Sequence, residues 1–480
     1  MPAQKSAKGL CYNPGFRCKS LSIMVLGVLR LNKAGFAFLI VLPAFLLLVS
    51  CGGYSSGRSS GGTTSGLKFR ALVSQDISSI ASAPGMIIID AQNDIRANRA
   101  SIGGSASFLP GAMILSNDRK ITVSISDTNN QLEVLDNAKE SVSGVINLPG
   151  TSESLAISPD NTTAYTAVPN APVPGGGTSG GIALVNLTTG GTPGILPIPG
   201  AHFVSMSGDG SKLLVFSDNS DLSQPSNVES VTVVSPFNIV AGQKNATCNS
   251  APPNPVVCQY VTGFDHPIVG FFSSDNTQAW ILNCGPECGG TQASIQSLDL
   301  VHLTAGPPTP LPGGATVGLI SGQTMYVAGN PPMGSNDCAG GPATAATTCG
   351  RLTTINLSTL PQATPIQPSE VIPDGYHNQI AISEDGQLFM GSRGCTNIIT
   401  ANTGGEQRGC LAILNTNTAN LVIPPDNGDV TGLQPITRRT VFYVVEGGEL
   451  RIYDTTTDKL YTVTSIDIFG NAVDVKLIDF

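Results

Sequence analysis

Three histidines stand at similar places in the sequence, each just before a predicted innermost strand. They are His202 in "AHFVSMS", His266 in "DHPIVGFF" and His377 in "YHNQIAIS". Neutral imidazoles that converge from several strands can bind zinc or copper. Asp265 and Glu153 occupy neighbouring positions and could add oxygen ligands or serve as a general base. A polar residue at such a place needs no function, so a metal or catalytic site and a structural role are both open.

The fourth histidine, His302 in "DLVHLTAG", is expected on an outer hairpin in contact with solvent. The sequence contains no HExxH motif, no GxxxxGK[ST] phosphate loop, no GxSxG elbow and no CxxCH haem site. No cofactor is therefore evident, and a divalent metal held by the three other histidines is the single candidate. Whether the protein is an enzyme stays open.

Cys51 is a second candidate for chemistry, because "LVSC" (Leu48 to Cys51) resembles a bacterial lipobox. In that motif the small residues let signal peptidase reach the backbone, and the cysteine thiol accepts a diacylglycerol. The Gly/Ser-rich tract 51–66 should behave as a flexible coil. We interpret it as a tether between the lipid and a folded body. Gly52, rather than Asp, follows the cysteine, so no inner-membrane retention signal is visible and the outer membrane is expected.

The residues before Cys51 have the features of a signal peptide. The apolar run Phe36–Ser50 has 15 residues, fewer than the about 20 that a helix needs to cross a bilayer. Arg30 and Lys33 precede it as a positive n-region. We predict a lipoprotein signal peptide over residues 1–50, with Met24 as an alternative start. An uncleaved anchor and an ordinary secretory signal are the alternatives.

Eight cysteines follow Cys51, and they fall in neighbouring pairs. The pairs are Cys248 with Cys258, Cys284 with Cys288, Cys338 with Cys349, and Cys395 with Cys410. An even number of cysteines in local pairs on an exported chain predicts disulfides that close loops. The spacing in "CGPEC" could instead form a redox or metal pair. No further Cys or His lies nearby in sequence to complete a zinc site, so a structural bridge is favoured.

Charge excludes some classes of partner. Of the 24 basic and 33 acidic residues, six basic and no acidic ones precede Cys51, so the mature chain carries 18 minus 33, or −15. Such an acidic domain has no electrostatic footprint for nucleic acid or for an anionic membrane surface. Contact with the membrane is expected through the lipid anchor only.

The elements that position these residues come from a repeat. One unit contains "QIAISEDGQLFMGS", a loop and "CLAILNTNTANLVI", which predicts a strand, a turn, a second strand, a variable loop and two further strands. The turn recurs as "SPDN" (Ser158 to Asn161), "SGDG" (Ser207 to Gly210), "SSDN" (Ser273 to Asn276) and "SEDG" (Ser383 to Gly386). Asp or Asn bonds its own backbone in such a turn, and Gly accepts a positive φ, so hairpins are predicted.

Eight predicted third strands can be counted, and seven of them end in Asp or Asn. These residues are Asp90, Asp136, Asn186, Asp299, Asn356, Asn415 and Asp454, with Ser235 at the same place in the fourth unit. The average spacing of about 52 residues is typical of propeller blades with insertions.

The first unit lacks an innermost strand, and the chain ends with an extra strand, "AVDVKLIDF". Pairing between them would leave no open sheet edge. We therefore predict an all-β fold, a β-propeller of four-stranded blades over residues 67–480, closed by its C-terminal strand. The count gives eight blades. Seven is the commoner number for this kind of repeat, and one misassigned blade would restore it.

The repeats resemble YVTN-type β-propellers, a group that overlaps with lactonase-like propellers. Second strands such as "AYTAVPN" (Ala164 to Asn170) and "MYVAGN" (Met325 to Asn330) are degenerate versions of the name-giving motif, and "ELRIYDTTTDKL" matches its usual continuation. The resemblance covers nearly all of residues 67–480. It is specific for the fold and implies little about activity, because these propellers include enzymes and binding proteins.

The longest loops are predicted between second and third strands. These loops lie on the same face of the propeller as the connections between blades. The long loops are 170–181, 217–229, 284–293, 329–350 and 393–410, and three of the four cysteine pairs lie in them. Loops closed by disulfides on a rigid scaffold are typical of a binding surface. We therefore favour a lipid-anchored, monomeric envelope protein that binds an envelope protein or glycan. A lactonase-like or metal-dependent hydrolase at the mouth of the central channel is the alternative.

Overall fold

The structure is a computed structural model of the 480-residue chain. It describes residues 65–76, 85–102, 111–126, 129–173, 179–217, 230–239, 256–332, 349–361, 366, 370–396, 409–424, 428–461, 466, 468 and 470–479. The predicted signal segment 1–50, Cys51 and most of the tether lie outside these ranges, as do Cys248 and Cys338.

The described residues form eight four-stranded antiparallel sheets, which are the blades of a propeller. Blades 1 to 4 contain, from the channel outward, the following strands. Blade 1 has β32 (Asn471–Leu477), β1 (Arg70–Asp76), β2 (Met86–Asp90) and β3 (Ile95–Ile102); blade 2 has β4 (Met113–Leu115), β5 (Ile121–Ser126), β6 (Gln131–Asp136) and β7 (Ser141–Asn147); blade 3 has β8 (Ser154–Ile157), β9 (Thr163–Val168), β10 (Gly181–Asn186) and β11 (Gly194–Pro197); blade 4 has β12 (Ala201–Met206), β13 (Leu213–Ser217), β14 (Ser230–Val234) and β15 (Cys258–Thr262).

Blades 5 to 8 follow the same order. Blade 5 has β16 (Pro267–Phe272), β17 (Gln278–Asn283), β18 (Ser294–Asp299) and β19 (Thr304–Pro310); blade 6 has β20 (Val317–Ser321), β21 (Thr324–Gly329), β22 (Gly350–Asn356) and β23 (Glu370–Ile372); blade 7 has β24 (Tyr376–Ile382), β25 (Gln387–Arg393), β26 (Leu411–Asn415) and β27 (Asn420–Val422); blade 8 has β28 (Val430–Ile436), β29 (Val441–Glu446), β30 (Glu449–Asp454) and β31 (Lys459–Leu460).

The last strand closes the ring. β32 pairs with β1 in antiparallel register, from Ala71 opposite Leu477 to Asp76 opposite Asn471. The innermost strands then contact one another in a complete circle, with β32 between β28 and β4. Beyond this strand, Arg70 Nε bonds Asp479 Oδ2 at 2.7 Å. The predicted closure and the count of eight blades are confirmed.

The core is divided among the blades. Eight apolar clusters each lie between two neighbouring blades. In the cluster between blades 4 and 5, for example, Phe216 and Val233 pack against Ile281 and Leu298. A second or third strand is covered on both faces, so it is apolar at almost every position instead of alternating. This explains the continuous apolar runs that mark the repeats.

The predicted turns form between the first and second strands. In the first of them, Ser158 Oγ donates to Asp160 Oδ1 at 2.6 Å and accepts from the Thr163 amide at 3.0 Å, while Asn161 adopts φ 60°. The structure adds a fifth turn of this kind at Ser116–Arg119, where Arg119 holds the positive φ. The side chains thus supply bonds that the tight hairpins would otherwise lack.

The long loops lie between second and third strands, as predicted. Short 3-10 helices in the described ranges span Pro236–Asn238, Gly285–Cys288 and Leu357–Thr359. Antiparallel strands alternate in direction, so these loops emerge where the innermost strands begin. We call that side of the propeller the mouth face. No helix in the described part of the chain is long and apolar enough to cross a membrane.

Candidate functional site

A cavity of about 280 Å³ lies on the mouth face between blades 4, 5 and 7. It is lined by His202, Phe203, Phe216, Ser217, His266, Pro267, Ile268, Glu287, Cys288 and Tyr376. Two of the three candidate histidines therefore reach one cavity. The third, His377, does not line it, although its neighbour Tyr376 does.

A β-bulge at the start of the innermost strand decides which side chains face the cavity. In blades 4, 5 and 7 one residue is left unpaired after a paired residue near the strand start, which is Ala201, Pro267 or His377. This position, the last paired one before the bulge, is buried in all three blades. Side chains alternate along a strand, so the residues before and after it face the other way. His266 stands before this position and His202 after it, and both reach the cavity.

His377 occupies the buried position itself and is only 2 % exposed. Its imidazole lies over Gly350 of β22, where a Cβ atom would be 2.5 Å from Cε1 of His377. Burial lowers the pKa of His377 to about 4, outweighing the opposite effects of the Pro373 backbone and the Asp374 carboxylate. The ring is therefore neutral and belongs to the packing between blades 6 and 7. The prediction that it joins the other histidines at the channel mouth is wrong.

His266 is held by its neighbour and by a loop of the same blade. Its Nδ1 lies 3.0 Å from Asp265 Oδ1, and the other Asp265 oxygen accepts from the Thr291 amide at 2.8 Å and the Thr291 hydroxyl at 2.6 Å. Burial alone would raise the pKa of Asp265, but these hydrogen bonds, with one from the Gln292 amide, lower it. Asp265 thus stays ionised and orients the His266 ring.

Gly290 allows this arrangement. A Cβ atom at this position would lie 2.2 Å from Asp265 Oδ1 and 2.7 Å from His266 Nδ1. The loop that carries it, Cys284–Ala293, is closed by the disulfide Cys284–Cys288, with a Cα–Cα distance of 5.7 Å. We call it the CGPEC loop. It brings Glu287 and Cys288 to the wall of the cavity.

His202 pairs with a carboxylate from the preceding blade. Its Nδ1 contacts Glu153 Oε2, and the two side chains are 24 % and 42 % exposed. Both cavity histidines are thus paired with an acidic residue through Nδ1. The two acids named in the sequence analysis, Glu153 and Asp265, thus lie beside His202 and His266 respectively.

Among the acidic residues of the site, Glu287 has the pKa that departs furthest from its usual value. Its Oε2 accepts from the Asn330 amide at 2.9 Å and its Oε1 from Asn330 Nδ2 at 3.0 Å. Asn330 Nδ2 in turn lies 2.9 Å from the Gly375 carbonyl, so blades 5, 6 and 7 are joined across the mouth. Burial raises the pKa of Glu287 to about 7 in spite of the two bonds from Asn330. This carboxyl can exchange a proton near neutral pH.

Tyr376 completes the wall from blade 7. Burial raises the pKa of its phenol, and the negative charges of Glu287 and Glu153 raise it further, against Arg393. The phenol therefore stays protonated and can donate a hydrogen bond into the cavity. Sequence reasoning missed both Glu287 and Tyr376. The acidic residue inside the closed "CGPEC" stretch was a usable signal for Glu287.

The remaining predicted residues fall at separate places. Cys395 and Cys410 form a disulfide in blade 7, and Cys258 and Cys349 are disulfide-bonded as well. His302 is 75 % exposed on an outer hairpin, beside Asp299. Among the described residues no group of three or more His, Cys, Asp or Glu side chains could hold a metal ion. The three-histidine metal site is therefore not formed.

Comparison with protein-family models gives no match, and comparison with curated proteins gives none either. The fold is shared with solved structures. They include hydrazine synthase of Kuenenia stuttgartiensis, with TM-score 0.51 and 13% identity over 73% of this chain and 96% of that one. Dihydro-haem d1 dehydrogenase NirN, solved with DHE, has TM-score 0.56 and 11% identity over 85% and 75%.

A proposed 6-phosphogluconolactonase from Bacteroides fragilis is similar over 87% of this chain and 99% of its own, at 13% identity and TM-score 0.45. Similarity at such identities is evidence for the fold alone. The closed circle of blades, with the fold shared with hydrazine synthase and NirN, establishes that the chain is an eight-bladed β-propeller.

Proposed function

We propose that this protein is a lipid-anchored binding module of the bacterial cell envelope, most consistent with the outer membrane, and that it binds its partner on the mouth face. One observation carries the proposal. The disulfide-closed CGPEC loop forms a wall of the cavity together with the innermost strands of three blades. Its partner is an envelope protein or a glycan that presents a small group to this cavity.

The form of the site supports binding. The CGPEC loop is fixed by its disulfide, by the bonds from Thr291 to Asp265 and by those from Asn330 to Glu287. A wall held at three places loses little conformational freedom when a ligand arrives, which favours affinity. The cavity also combines apolar and polar side chains, as ligand sites usually do.

Two tyrosines allow a matched test. Tyr376 at the cavity is 42% exposed, and Tyr461 at the outer edge of blade 8 is 41% exposed. A photo-crosslinking phenylalanine derivative would replace each in turn in the full-length protein within its native envelope. We expect a discrete crosslinked product from position 376 and none from position 461. Equal products from both positions, or none from 376, would contradict recognition on the mouth face.

The anchor has its own test, independent of the cavity. Labelled palmitate should enter the full-length protein in its host, and Cys51→Ser should abolish the label. Cys258→Ser serves as the control because this cysteine is disulfide-bonded. Incorporation that survives Cys51→Ser would overturn the lipoprotein assignment.

A hydrolase is the second candidate, and the raised pKa of Glu287 favours it. A carboxylate with a pKa near 7 is suited to act as a general base, and Tyr376 could donate to the developing oxyanion. A lactone without a phosphate is the matching substrate class, since carboxylates surround the cavity. Turnover of such a lactone that disappears in Glu287→Gln but persists in Glu449→Gln would support it, and no turnover by the wild-type protein would exclude it.

A further inference from the structure

Part of the cavity lining is apolar. Phe203 and Phe216 line it from blade 4, and Pro267 and Ile268 from blade 5. Such a lining favours a hydrocarbon or aromatic body, because burying apolar surface contributes about 25 cal/mol per Å². A cavity of about 280 Å³ admits a small molecule or the end of a longer one.

The charged part of the cavity lining is acidic. Glu287 lines the cavity directly, and Glu153 and Asp265 stand behind His202 and His266. None of the described residues that line the cavity is a lysine or an arginine. Arg393 stands outside this lining, opposite Tyr376 across strands β24 and β25, and its charge acts on the Tyr376 phenol. The charge of the site is therefore suited to a positive ligand.

Resting on the proposed binding function, we propose that the cavity binds a small organic cation, an ammonium group on an apolar body, with Glu287 as its counter-charge. Phe203 and Tyr376 bring two aromatic rings to the lining, and a cation–π contact with such a ring contributes about 0.5–2 kcal/mol. A bare metal ion lacks a ligand set among the described residues. An anion would meet three carboxylates.

Proton exchange by Glu287 makes this binding depend on pH. The pKa of Glu287 is about 7 in the empty cavity, so both the ionised and the protonated carboxyl are present near neutral pH. A cation binds the ionised carboxylate, and its binding to the protonated form must release the proton. The other titratable groups that face the cavity are His202, His266 and Tyr376.

Isothermal titration calorimetry with the full-length protein tests the proposal. The probes share one ring and differ in charge: benzyltrimethylammonium, benzyl alcohol and phenylacetate. We expect saturable binding of the cation only. Given a pKa of about 7, the ionised fraction of Glu287 changes about tenfold between about pH 6 and about pH 8, and the affinity should rise by about that factor. Titrations in buffers of different ionisation enthalpy should show proton release.

Two variants remove the same charge at different places. Glu287→Gln should weaken binding of the cation at least tenfold at about pH 8 and reduce the proton release. Glu449→Gln, on a side chain 67 % exposed in blade 8, should leave both unchanged. A melting-temperature measurement checks that each variant is folded.

Two results would overturn the proposal. Binding of benzyl alcohol or phenylacetate as strong as that of the cation would show that the cavity does not select positive charge, and the binding function would stand without this ligand class. Cation binding that is absent, or equal in both variants, would remove Glu287 as the counter-charge. Crosslinking at position 376 reports on the binding function separately, so the two failures can be told apart.

Discussion

On the mouth face, blades 5 and 7 are built from the same parts. Each has an aspartate before its innermost strand, a threonine in a disulfide-closed loop, and a histidine at the strand start. Asp265 accepts from the amide of Thr291 at 2.8 Å, and Asp374 accepts from the amide of Thr396 at 2.7 Å. In both blades the threonine hydroxyl bonds the same carboxylate. The loop is thus fixed to the blade connection in the same manner.

The blades differ in the residue count between these parts. Asp265 stands two residues before the buried strand position, Pro267, whereas Asp374 stands three residues before His377. Blade 7 has Gly375 at φ 99° in this connection. His266 therefore faces the cavity and His377 faces the core. A shift of one residue separates a candidate functional histidine from a structural one, because successive side chains on a strand point to opposite faces.

Replacing each histidine by alanine should give the largest difference in the free energy of unfolding between the two blades. His377→Ala leaves a void under a fully packed position, and we expect a loss of about 3 kcal/mol in the free energy of unfolding. His266→Ala removes a side chain that is 23 % exposed and should cost less than about 1 kcal/mol. Denaturant unfolding of both variants measures this. Equal losses would contradict the assignment of His377 to the core.

Lowering the pH should reduce the free energy of unfolding through His377 in blade 7 and increase it through Glu287 in blade 5. The pKa of His377 is about 4 when folded and near 6.5 when unfolded, so the unfolded chain binds more protons between these values. Its contribution to the free energy of unfolding falls by about 3 kcal/mol as the pH falls from 6.5 to 4.

The pKa of Glu287 is raised to about 7 from 4.5, so its contribution is present below pH 4.5 and is lost as the pH rises through 7. Melting temperatures of wild type, His377→Val and Glu287→Gln across this range separate the two. His377→Val should flatten the acid loss, and Glu287→Gln should steepen it. A His377→Val profile parallel to wild type would show that the ring is not held neutral.

Opening the disulfides should affect the blades to different degrees. Cys395 and Cys410 are 15 residues apart and Cys284 and Cys288 only 4. Loop-closure entropy then predicts a loss of about 3 kcal/mol for the double serine variant in blade 7 and about 2 kcal/mol in blade 5. Only the blade 5 variant should lose binding at the cavity, since the CGPEC loop forms its wall. Intact binding after Cys284→Ser with Cys288→Ser would show that the wall does not need its bridge.

The smallest effect is expected from the threonine hydroxyls. Thr396→Val removes a bond to Asp374, which is 6 % exposed, and should cost about 1 kcal/mol. Thr291→Val removes a bond to the more exposed Asp265 and should cost less. Melting temperatures compare them, and the reverse order would indicate that the blade 5 connection is the more tightly held.

Repetition made the fold predictable. A turn such as Ser158–Asn161 and a strand end such as Asp299 recur because every blade solves the same backbone problem, so eight units could be counted without knowing any contact. The closing strand followed from the absence of an innermost strand in the first unit. These are local patterns, and local patterns are visible in sequence.

The site could be predicted only in part. His202, His266 and their acidic partners were found because the start of each innermost strand could be located. The bulge after Ala201 or His377 leaves no mark in the sequence, so a face could not be assigned to each histidine. Glu287 owes its raised pKa to burial, and Asn330 of the next blade holds its carboxylate through a contact across 43 positions of the chain. Such a contact depends on how the blades pack.

The closing strand also sets the face on which the chain enters the propeller. Innermost strands begin at the mouth face, and β1 runs against β32, so the chain enters the propeller at Arg70 on the opposite side. Ser65 lies on the same side, where its hydroxyl donates to Glu140 Oε1 at 2.6 Å. The entering segment 65–70 therefore lies on the face away from the cavity, so it leaves the mouth face uncovered for a partner.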